Sequence, residues 1–341
     1  MRAPVAGRVA TRRGPRRRDD EGRHVNDTLE QLIELCDGLR GVVLPALGSH
    51  AARDHAGVAV GGDVTFGIDE EAERYLVAHM RERLPAWAFY SEDGGLQGAT
   101  DPEIVLVVDP IDGTRPAAAG FEMACVSVAA VPGGGDPTMG DVVAAAVQEI
   151  KSGDLFVAEK GAGFSMRRAG GDELPFRPTS RVDLESLFWT LGFRGRPAVV
   201  LAGVLAELID ISSVGGSVFD IGSATYSVTR ILTGQLDAYV DIGPAIIDAH
   251  PALEAEFRRV GRGHVLCNSP YDLAAVHLLC REAGVPIGDA DGAPLDGRPV
   301  LGSDASYQMA CIASGNDELQ RRLIEVVRRG IRDFLPPERT P

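Results

Sequence analysis

The order of apolar and polar residues predicts two helices near the start of the chain. Apolar side chains recur at helical intervals between residues 27 and 47, which predicts a first amphipathic helix. A second helical pattern begins near residues 69–70 and ends before Pro85, because proline disrupts a helix interior. Three later segments carry the same spacing, at residues 199–209, 221–232 and 272–283.

Short apolar runs between glycine or polar residues predict strands. They lie at residues 89–90, 104–108, 124–131, 142–150, 154–159, 187–191 and 236–240. The run at 104–108 is aliphatic throughout, which is typical of a strand buried on both faces. In the second half of the chain strands alternate with helices, which indicates an α/β layer. We place a boundary between the two halves at residues 165–182.

The composition indicates an acidic globular protein. Hydrophobic residues make up 45% of the 341 residues, and the formal net charge is -15. Residues 1–25 form a basic head rich in arginine and proline, which is expected to be disordered and leaves the remainder still more acidic. An acidic body repels nucleic-acid backbones, and no apolar run approaches the length of a membrane span. Neither nucleic acid nor a membrane is therefore an expected partner.

The number and spacing of the cysteines indicate the redox compartment of the protein. There are five of them, widely spaced and without a CxxC pair, at positions 36, 125, 267, 280 and 311. An odd number at such spacing argues against a disulfide framework or a zinc site, and it predicts a reducing cytoplasm.

The most informative motif follows the aliphatic run. Asp109 and Asp112 come directly after this strand, at the edge where open α/β sheets usually bind ligands. Pro110 stiffens the turn, so both carboxylates can converge on one point, where a hard cation such as Mg²⁺ would relieve their repulsion. Gly113 permits close backbone approach, and Thr114 supplies a hydroxyl and an amide for an anion. The alternative interpretation is an ordinary Asx turn at the surface.

Three further acidic residues occupy comparable positions. Glu92 follows another predicted strand, whereas Asp69 and Asp272 precede helical patterns. Either aspartate alone is explained equally well as a helix cap.

The order of these motifs resembles the inositol monophosphatase family, whose superfamily includes fructose-bisphosphatases and phosphonucleotide phosphatases. The matching segments are Asp69, SEDG at 91–94, DPIDGT at 109–114, IGSA at 221–224, LDAYVD at 236–241, YDLAA at 271–275 and EAG at 282–284. The resemblance covers residues 27–335. It implies an α+β or α/β fold, a layered αβαβα sandwich, with an N-terminal metal-binding subdomain at 26–175 and a C-terminal subdomain at 176–335.

The resemblance also implies roles for individual residues. The implied ligands of two or three Mg²⁺ ions are Glu92, Asp109, the carbonyl of Ile111, Asp112 and Asp272. The implied catalytic residues are Asp69, Thr114 and Glu92, with Asp69 and Thr114 orienting and deprotonating the attacking water. The implied phosphate and substrate contacts are Asp112, Gly113, Thr114, Ser223, Ala224 and Asp241. A small phosphorylated metabolite is the implied partner, and a homodimer the implied assembly.

The chain departs from the family in two places. After DGT the family usually continues Thr-Asn-Phe, whereas this chain has Arg115, which either reaches a second phosphate or carboxylate or lies solvated at the surface. The segment 241–271 is unusually long and is a specificity lid, a decoration or an oligomer contact. Its length makes Asp241 and Asp248 competitors for the last ligand position. Asp272 is preferred because it opens the helical pattern that the family uses there.

The predicted function is Mg²⁺-dependent hydrolysis of a phosphate monoester of a small metabolite, inositol-phosphate-like, by metal-activated water. Fructose bisphosphates, phosphonucleotides and the sugar or nucleoside phosphates of specialised pathways are alternative substrates. A catalytically weak homologue with a binding or regulatory role is the alternative from a different class.

Overall fold

The computed structural model describes residues 18–334. Within this range the α-helices are α1 (Arg18–Val43), α2 (Gly67–Arg83), α3 (Thr114–Ala119), α4 (Ala198–Val204), α5 (Ala206–Ser212), α6 (Ala224–Leu232), α7 (Gly243–Ala249), α8 (Glu254–Val260), α9 (Pro270–Ala283) and α10 (Asp317–Asp333). The strands are β1 (His55–Val58), β2 (Val64–Phe66), β3 (Ala88–Ser91), β4 (Gly95–Gly98), β5 (Ile104–Asp112), β6 (Cys125–Pro132), β7 (Ala144–Glu149), β8 (Leu155–Glu159), β9 (Gly163–Arg167), β10 (Phe188–Leu191), β11 (Ser217–Phe219), β12 (Ala238–Asp241), β13 (Ile287–Gly288) and β14 (Cys311–Ser314).

Two large sheets organise these elements. The first has seven strands in the order β4-β3-β5-β6-β7-β8-β9, in which only β3 and β5 pair in parallel. The second has five strands in the order β11-β10-β12-β14-β13, and β10 pairs in parallel with both β11 and β12. Strands β1 and β2 form a separate antiparallel pair.

Helices cover both faces of both sheets. The apolar stripe of α1, including Leu32, Leu35 and Leu39, packs with α2 against one face of the first sheet. Helices α6 and α9 lie between the two sheets and share one core with both. Helices α4, α5, α7 and α10 close the outer face of the second sheet. The result is a five-layered αβαβα sandwich, as the family resemblance implies.

The first helix begins earlier than predicted. It starts at Arg18 rather than near residue 27, so residues 18–25 of the head that was expected to be disordered are helical. The last proline of the head is Pro15, and from there only Gly22 opposes helix formation before residue 27. The prediction for residues 1–17 lies outside the described residues.

The halves of the chain are not separate in space. The first sheet ends at Arg167 and the second begins at Phe188, which is compatible with the boundary that we placed at residues 165–182. Helix α9, however, comes from the second half and packs against β5, β6, β7 and β8 of the first sheet. The two subdomains remain a proposal for this reason.

The long segment 241–271 is an ordered part of the fold. It forms α7 and α8, and its apolar side chains Ile246, Leu253 and Phe257 are buried in the outer core beside the second sheet. This packing argues against a loosely attached decoration.

The sequence patterns also led to one expectation about disulfides and one about membrane spans. All five cysteines are buried and unpaired. Between residues 18 and 334, no helix has both the length and the apolar content needed to span a membrane.

Candidate active site

A bulge in strand β5 brings two carboxylates to one face of the sheet. The strand was predicted to stop at Asp109, but it continues to Asp112. Asp109 pairs with Ser127 and Asp112 with Cys125, so three steps along β5 oppose two steps along β6. Residues three apart normally point to opposite faces, and the extra residue restores Asp109 and Asp112 to the same face. Pro110 suits this position, because it cannot donate to the ladder.

Glu92 lies beside this bulge because β3 and β5 are parallel neighbours. Ser91 pairs with Val108, so the next residues along, Glu92 and Asp109, emerge from the same edge of the sheet. Glu92 is partly buried, and its charge raises the pKa of Asp109. The predicted position of Glu92 at a strand end is thus confirmed.

Asp272 and Asp69 each begin a helix, and each occupies the third helical position rather than the cap itself. Asp272 Oδ2 accepts a hydrogen bond of 2.6 Å from the backbone amide of Ser269, before α9. Asp69 Oδ2 accepts one of 2.8 Å from the amide of Phe66, before α2. These bonds fix each side chain, and a carboxylate retains further acceptor sites for another partner.

Asp109, Asp112 and Asp272 meet in one cluster. Each contributes a carboxylate oxygen, and these oxygen atoms all lie within 4.8 Å of one another. Asp248, one of the two competitors for the last position, is exposed on α7 and lines a different cavity. Asp241 is buried in an ion pair with Arg196. The geometry therefore favours Asp272 over both.

The cluster carries unfavourable charge. Burial, and then the neighbouring carboxylates Glu92, Asp112 and Asp272, raise the pKa of Asp109 well above its usual range. Burial and Asp112 raise the pKa of Asp272 to about 8. Burial likewise raises the pKa of Asp112, although its hydrogen bonds oppose the shift. Such a set of buried carboxylates is stable only with protons or a cation among them.

Helix α6 holds Asp112 in place. Ser223 Oγ donates to Asp112 Oδ2 over 2.9 Å, and the amide of Thr225 donates to the same oxygen over 2.6 Å. Thr225 Oγ1 also donates to the carbonyl of Asp272 over 3.0 Å. Ser223 thus contacts a cluster member, while its predicted contact with substrate remains a prediction. Ala224 lines the pocket that Asp112, Asp241 and Asp272 also line, and its substrate role is likewise untested.

The turn after β5 requires glycine. Gly113 has φ of 98°, and a Cβ there would lie 2.4 Å from the carbonyl oxygen of Met123. The turn presents Thr114, whose Oγ1 donates to the carbonyl of Ile111 over 3.1 Å. The Thr114 hydroxyl also interacts with Asp69, whose pKa burial raises to about 7. A hydroxyl has one proton, so it donates to Ile111 or to Asp69, not to both at once.

The sequence patterns did not identify three charged residues that lie near the cluster. Asp63 forms ion pairs with Arg115, over 3.0 Å, and with Arg194. Arg194 lies close enough to Glu92 and Asp272 that both stabilise its charge. Arg196 follows two residues later and pairs with Asp241. The available signal was the run Arg194-Gly195-Arg196, which begins three residues after the predicted strand at 187–191, near the edge where ligands bind.

The raised pKa values predict how stability depends on pH. In the metal-free protein, Asp272 keeps a proton up to about pH 8 in the native state, whereas an unfolded aspartate loses it near about pH 4. The native state binds more protons across this interval, so stability falls as pH rises. We expect the melting temperature to drop by roughly 5 °C or more between pH 5 and pH 8.5.

Calorimetry in the presence of a chelator measures this drop. If the cluster holds a divalent cation, added Mg²⁺ should offset the drop most strongly at the higher pH, where the carboxylates are ionised. The Asp272→Asn variant is the matched control and should show a flatter profile. A melting temperature that rises from pH 5 to pH 8.5 without metal would contradict the prediction that the crowded carboxylates keep protons in the native state.

The chain is similar to known proteins over most of its length. The model of the inositol monophosphatase family matches residues 25–332. A Nus factor SuhB of Xylella fastidiosa is 29% identical over 78% of this chain and 82% of its own length. A fructose-1,6-bisphosphatase/inositol-1-monophosphatase of Methanothermobacter thermautotrophicus is 24% identical over 86% of this chain and 94% of its own.

A solved structure shares the fold. The IMPase of Thermotoga maritima superposes with a TM-score of 0.64 at 19% identity, covering 89% of this chain and 98% of that one. Because the family model spans residues 25–332 of 341, the chain belongs to the inositol monophosphatase family of phosphatases.

Proposed function

We propose that this phosphatase hydrolyses a phosphate monoester of a small metabolite with the help of Mg²⁺, and that its substrate resembles an inositol phosphate. The observation that carries the proposal is the convergence of Asp109, Asp112 and Asp272 within 4.8 Å at the carboxyl edge of a buried strand. Fructose bisphosphates are an alternative substrate class, since one relative is named for both activities. We also propose a cytoplasmic location, on the basis of the cysteine usage, and a homodimer, as the resemblance implies.

The donor set fits Mg²⁺. All candidate side-chain ligands are carboxylates, and hard oxygen donors suit Mg²⁺ rather than a softer metal. The raised pKa values reflect charge that a divalent cation would neutralise. Glu92, Asp109, Asp112, Asp272 and the Ile111 carbonyl would hold two or three ions. When bound, Mg²⁺ supplies positive charge for the phosphate oxygens and lowers the pKa of water.

The chain's own residues then provide the remaining chemistry. Thr114 orients the attacking water, because its hydroxyl lies between the Ile111 carbonyl and Asp69 and can also accept a hydrogen bond. Asp69 receives the proton, since its carboxylate lies next to the Thr114 hydroxyl and retains acceptor sites beyond its bond from the Phe66 amide. The amides of Gly113 and Thr114 bind phosphate oxygens. Ser223, Ala224 and Asp241 line the side of the cleft where the leaving group would lie.

A panel of phosphate esters tests the proposal. We would measure phosphate release from inositol phosphates, fructose 1,6-bisphosphate, phosphonucleotides and sugar phosphates, with and without Mg²⁺. We expect release from at least one class, abolished by a chelator and restored by Mg²⁺. If the protein binds Mg²⁺ but releases phosphate from none of these esters, the non-catalytic alternative is favoured.

The relatives named Nus factor SuhB are the reason to consider a non-catalytic binding or regulatory role as the alternative. Against it, this chain has a candidate for every carboxylate that the family resemblance implies, and the fold brings three of them together. A binding protein without catalysis has no need of such a costly buried set.

A further inference from the structure

A second pocket adjoins the acidic cluster. It has a volume of about 310 Å³ and is lined by three arginines, Arg115, Arg194 and Arg262. Small-molecule sites range from roughly 300 to 1,000 Å³, so this pocket is large enough for part of a metabolite. Asp63 and Arg194 belong to its wall and also to the wall of the cleft that holds Glu92 and Asp272. The two cavities therefore meet at Asp63 and Arg194.

Asp63 orients two of the arginines. Arg115 donates from both terminal nitrogens, with distances of 3.0 and 3.3 Å to the two Asp63 oxygens, and Arg194 pairs with the same carboxylate. Burial opposes the charge on Asp63, but Arg194 and Arg115 outweigh it and hold its pKa below the usual range. Arg115 also stacks over the Phe66 ring at 5.3 Å. A guanidinium has five N–H donors, so both arginines retain donors for a ligand.

Arg262 completes the pocket from the long segment 241–271. It is exposed and forms no ion pair with residues 18–334. Its φ is 54°, a left-handed conformation that is uncommon outside glycine. The turn between Gly261 and Gly263 therefore presents a guanidinium without a partner to the pocket, at a backbone cost.

The charges identify the class of ligand. Three arginines against one ionised aspartate leave two positive charges in the pocket, which matches a phosphate monoester of about -1.5 to -2 at neutral pH. Guanidinium groups bind phosphate oxygens in a bidentate manner. A neutral hydroxyl would leave these charges without a partner.

We infer that this pocket binds a second phosphate group, so that the substrate is a metabolite with two phosphates, one cleaved at the acidic cluster and one held by Arg115, Arg194 and Arg262. This inference rests on the proposed function and narrows it. It also assigns the segment 241–271 a role in specificity, because Arg262 lies at its turn.

The first test compares substrates that differ only in the distal phosphate. The pairs are fructose 1,6-bisphosphate with fructose 1-phosphate, and inositol 1,4-bisphosphate with inositol 1-phosphate. In at least one pair the bisphosphate should have a kcat/KM about tenfold higher or more. Preference for the monophosphate in both pairs would overturn the inference and leave the proposed function intact.

The second test removes Arg262. Arg262→Gly suits the left-handed backbone, so the variant should fold with an unchanged melting temperature. We expect KM for the bisphosphate to rise about tenfold more than KM for the monophosphate. The matched control is Arg259→Ala, which removes the same charge from α8 outside the pocket, where Arg259 pairs with Glu256. Equal effects of Arg262→Gly on both substrates would contradict a phosphate contact.

The third test is independent of turnover. Inorganic phosphate is titrated by calorimetry into the metal-free protein in the presence of a chelator. We expect wild type to bind phosphate about tenfold more tightly than Arg262→Gly. If no ester is hydrolysed, the proposed function fails while this titration still decides the pocket. Absence of binding to wild type, or equal affinity in both proteins, would overturn the pocket assignment.

Discussion

Asp112→Asn is expected to lower hydrolysis by about 10²–10³-fold or more while the protein keeps its fold. The change removes one charge from the cluster that would hold Mg²⁺. The asparagine oxygen still accepts from Ser223 and from the Thr225 amide, so α6 stays anchored. Steady-state rates and calorimetric Mg²⁺ titration measure the effect, and both turnover and Mg²⁺ affinity should fall.

Two observations separate this loss from misfolding. The metal-free melting temperature of Asp112→Asn should equal or exceed that of wild type, because one buried charge no longer repels its neighbours. The matched control is Asp248→Asn, at an exposed position that the sequence offered as a competing ligand, and it should retain full activity. Wild-type turnover by Asp112→Asn would exclude Asp112 as a ligand.

Thr114→Ala is expected to lower kcat by roughly 10–10²-fold, with Mg²⁺ affinity within a factor of about two of wild type. The hydroxyl lies between the Ile111 carbonyl and Asp69, where it can orient water without being a required metal ligand. Its loss leaves the carboxylate cluster unchanged. Single-turnover rates and Mg²⁺ titration separate these two effects.

Thr114→Ser is the matched control, because it keeps the hydroxyl and removes only a methyl group. It should retain most of the activity. Unchanged turnover of Thr114→Ala together with weaker Mg²⁺ binding would mean that the threonine supports the metal instead of the water.

The layered fold could be predicted largely from local patterns. The aliphatic run at 104–108 marked the central strand because it is buried on both faces. The start of α1 was misplaced because the sequence before residue 27 lacks helical periodicity, although the helix continues back to Arg18. The helix expected at 199–209 is divided at Leu205, which leaves helical geometry between α4 and α5.

The residues of the site could be predicted only where a local sequence pattern marked them. Asp109 and Asp112 stood out because a buried strand led directly to them, but the bulge that turns them to one face depends on pairing with β6. Asp272 was indistinguishable from a helix cap without the family resemblance. In the structure it is the third residue of α9, where its carboxylate accepts from the Ser269 amide and also belongs to the acidic cluster. Arg262 gave no signal, and Arg194 gave only its place after a predicted strand, because the importance of both comes from a pocket formed by distant segments.

The origin of Asp272 in α9 has a consequence for synthesis of the protein. Asp272 follows Asp112 by 160 residues, so a ribosome that adds about 5–20 residues per second delivers it roughly 8–32 s later. During this interval the first sheet can form, but the apolar face that α9 covers is open and the third aspartate is missing. The acidic cluster of a nascent chain therefore stays incomplete until α9 has emerged, and the proposed Mg²⁺ site could stabilise the protein only from that point on.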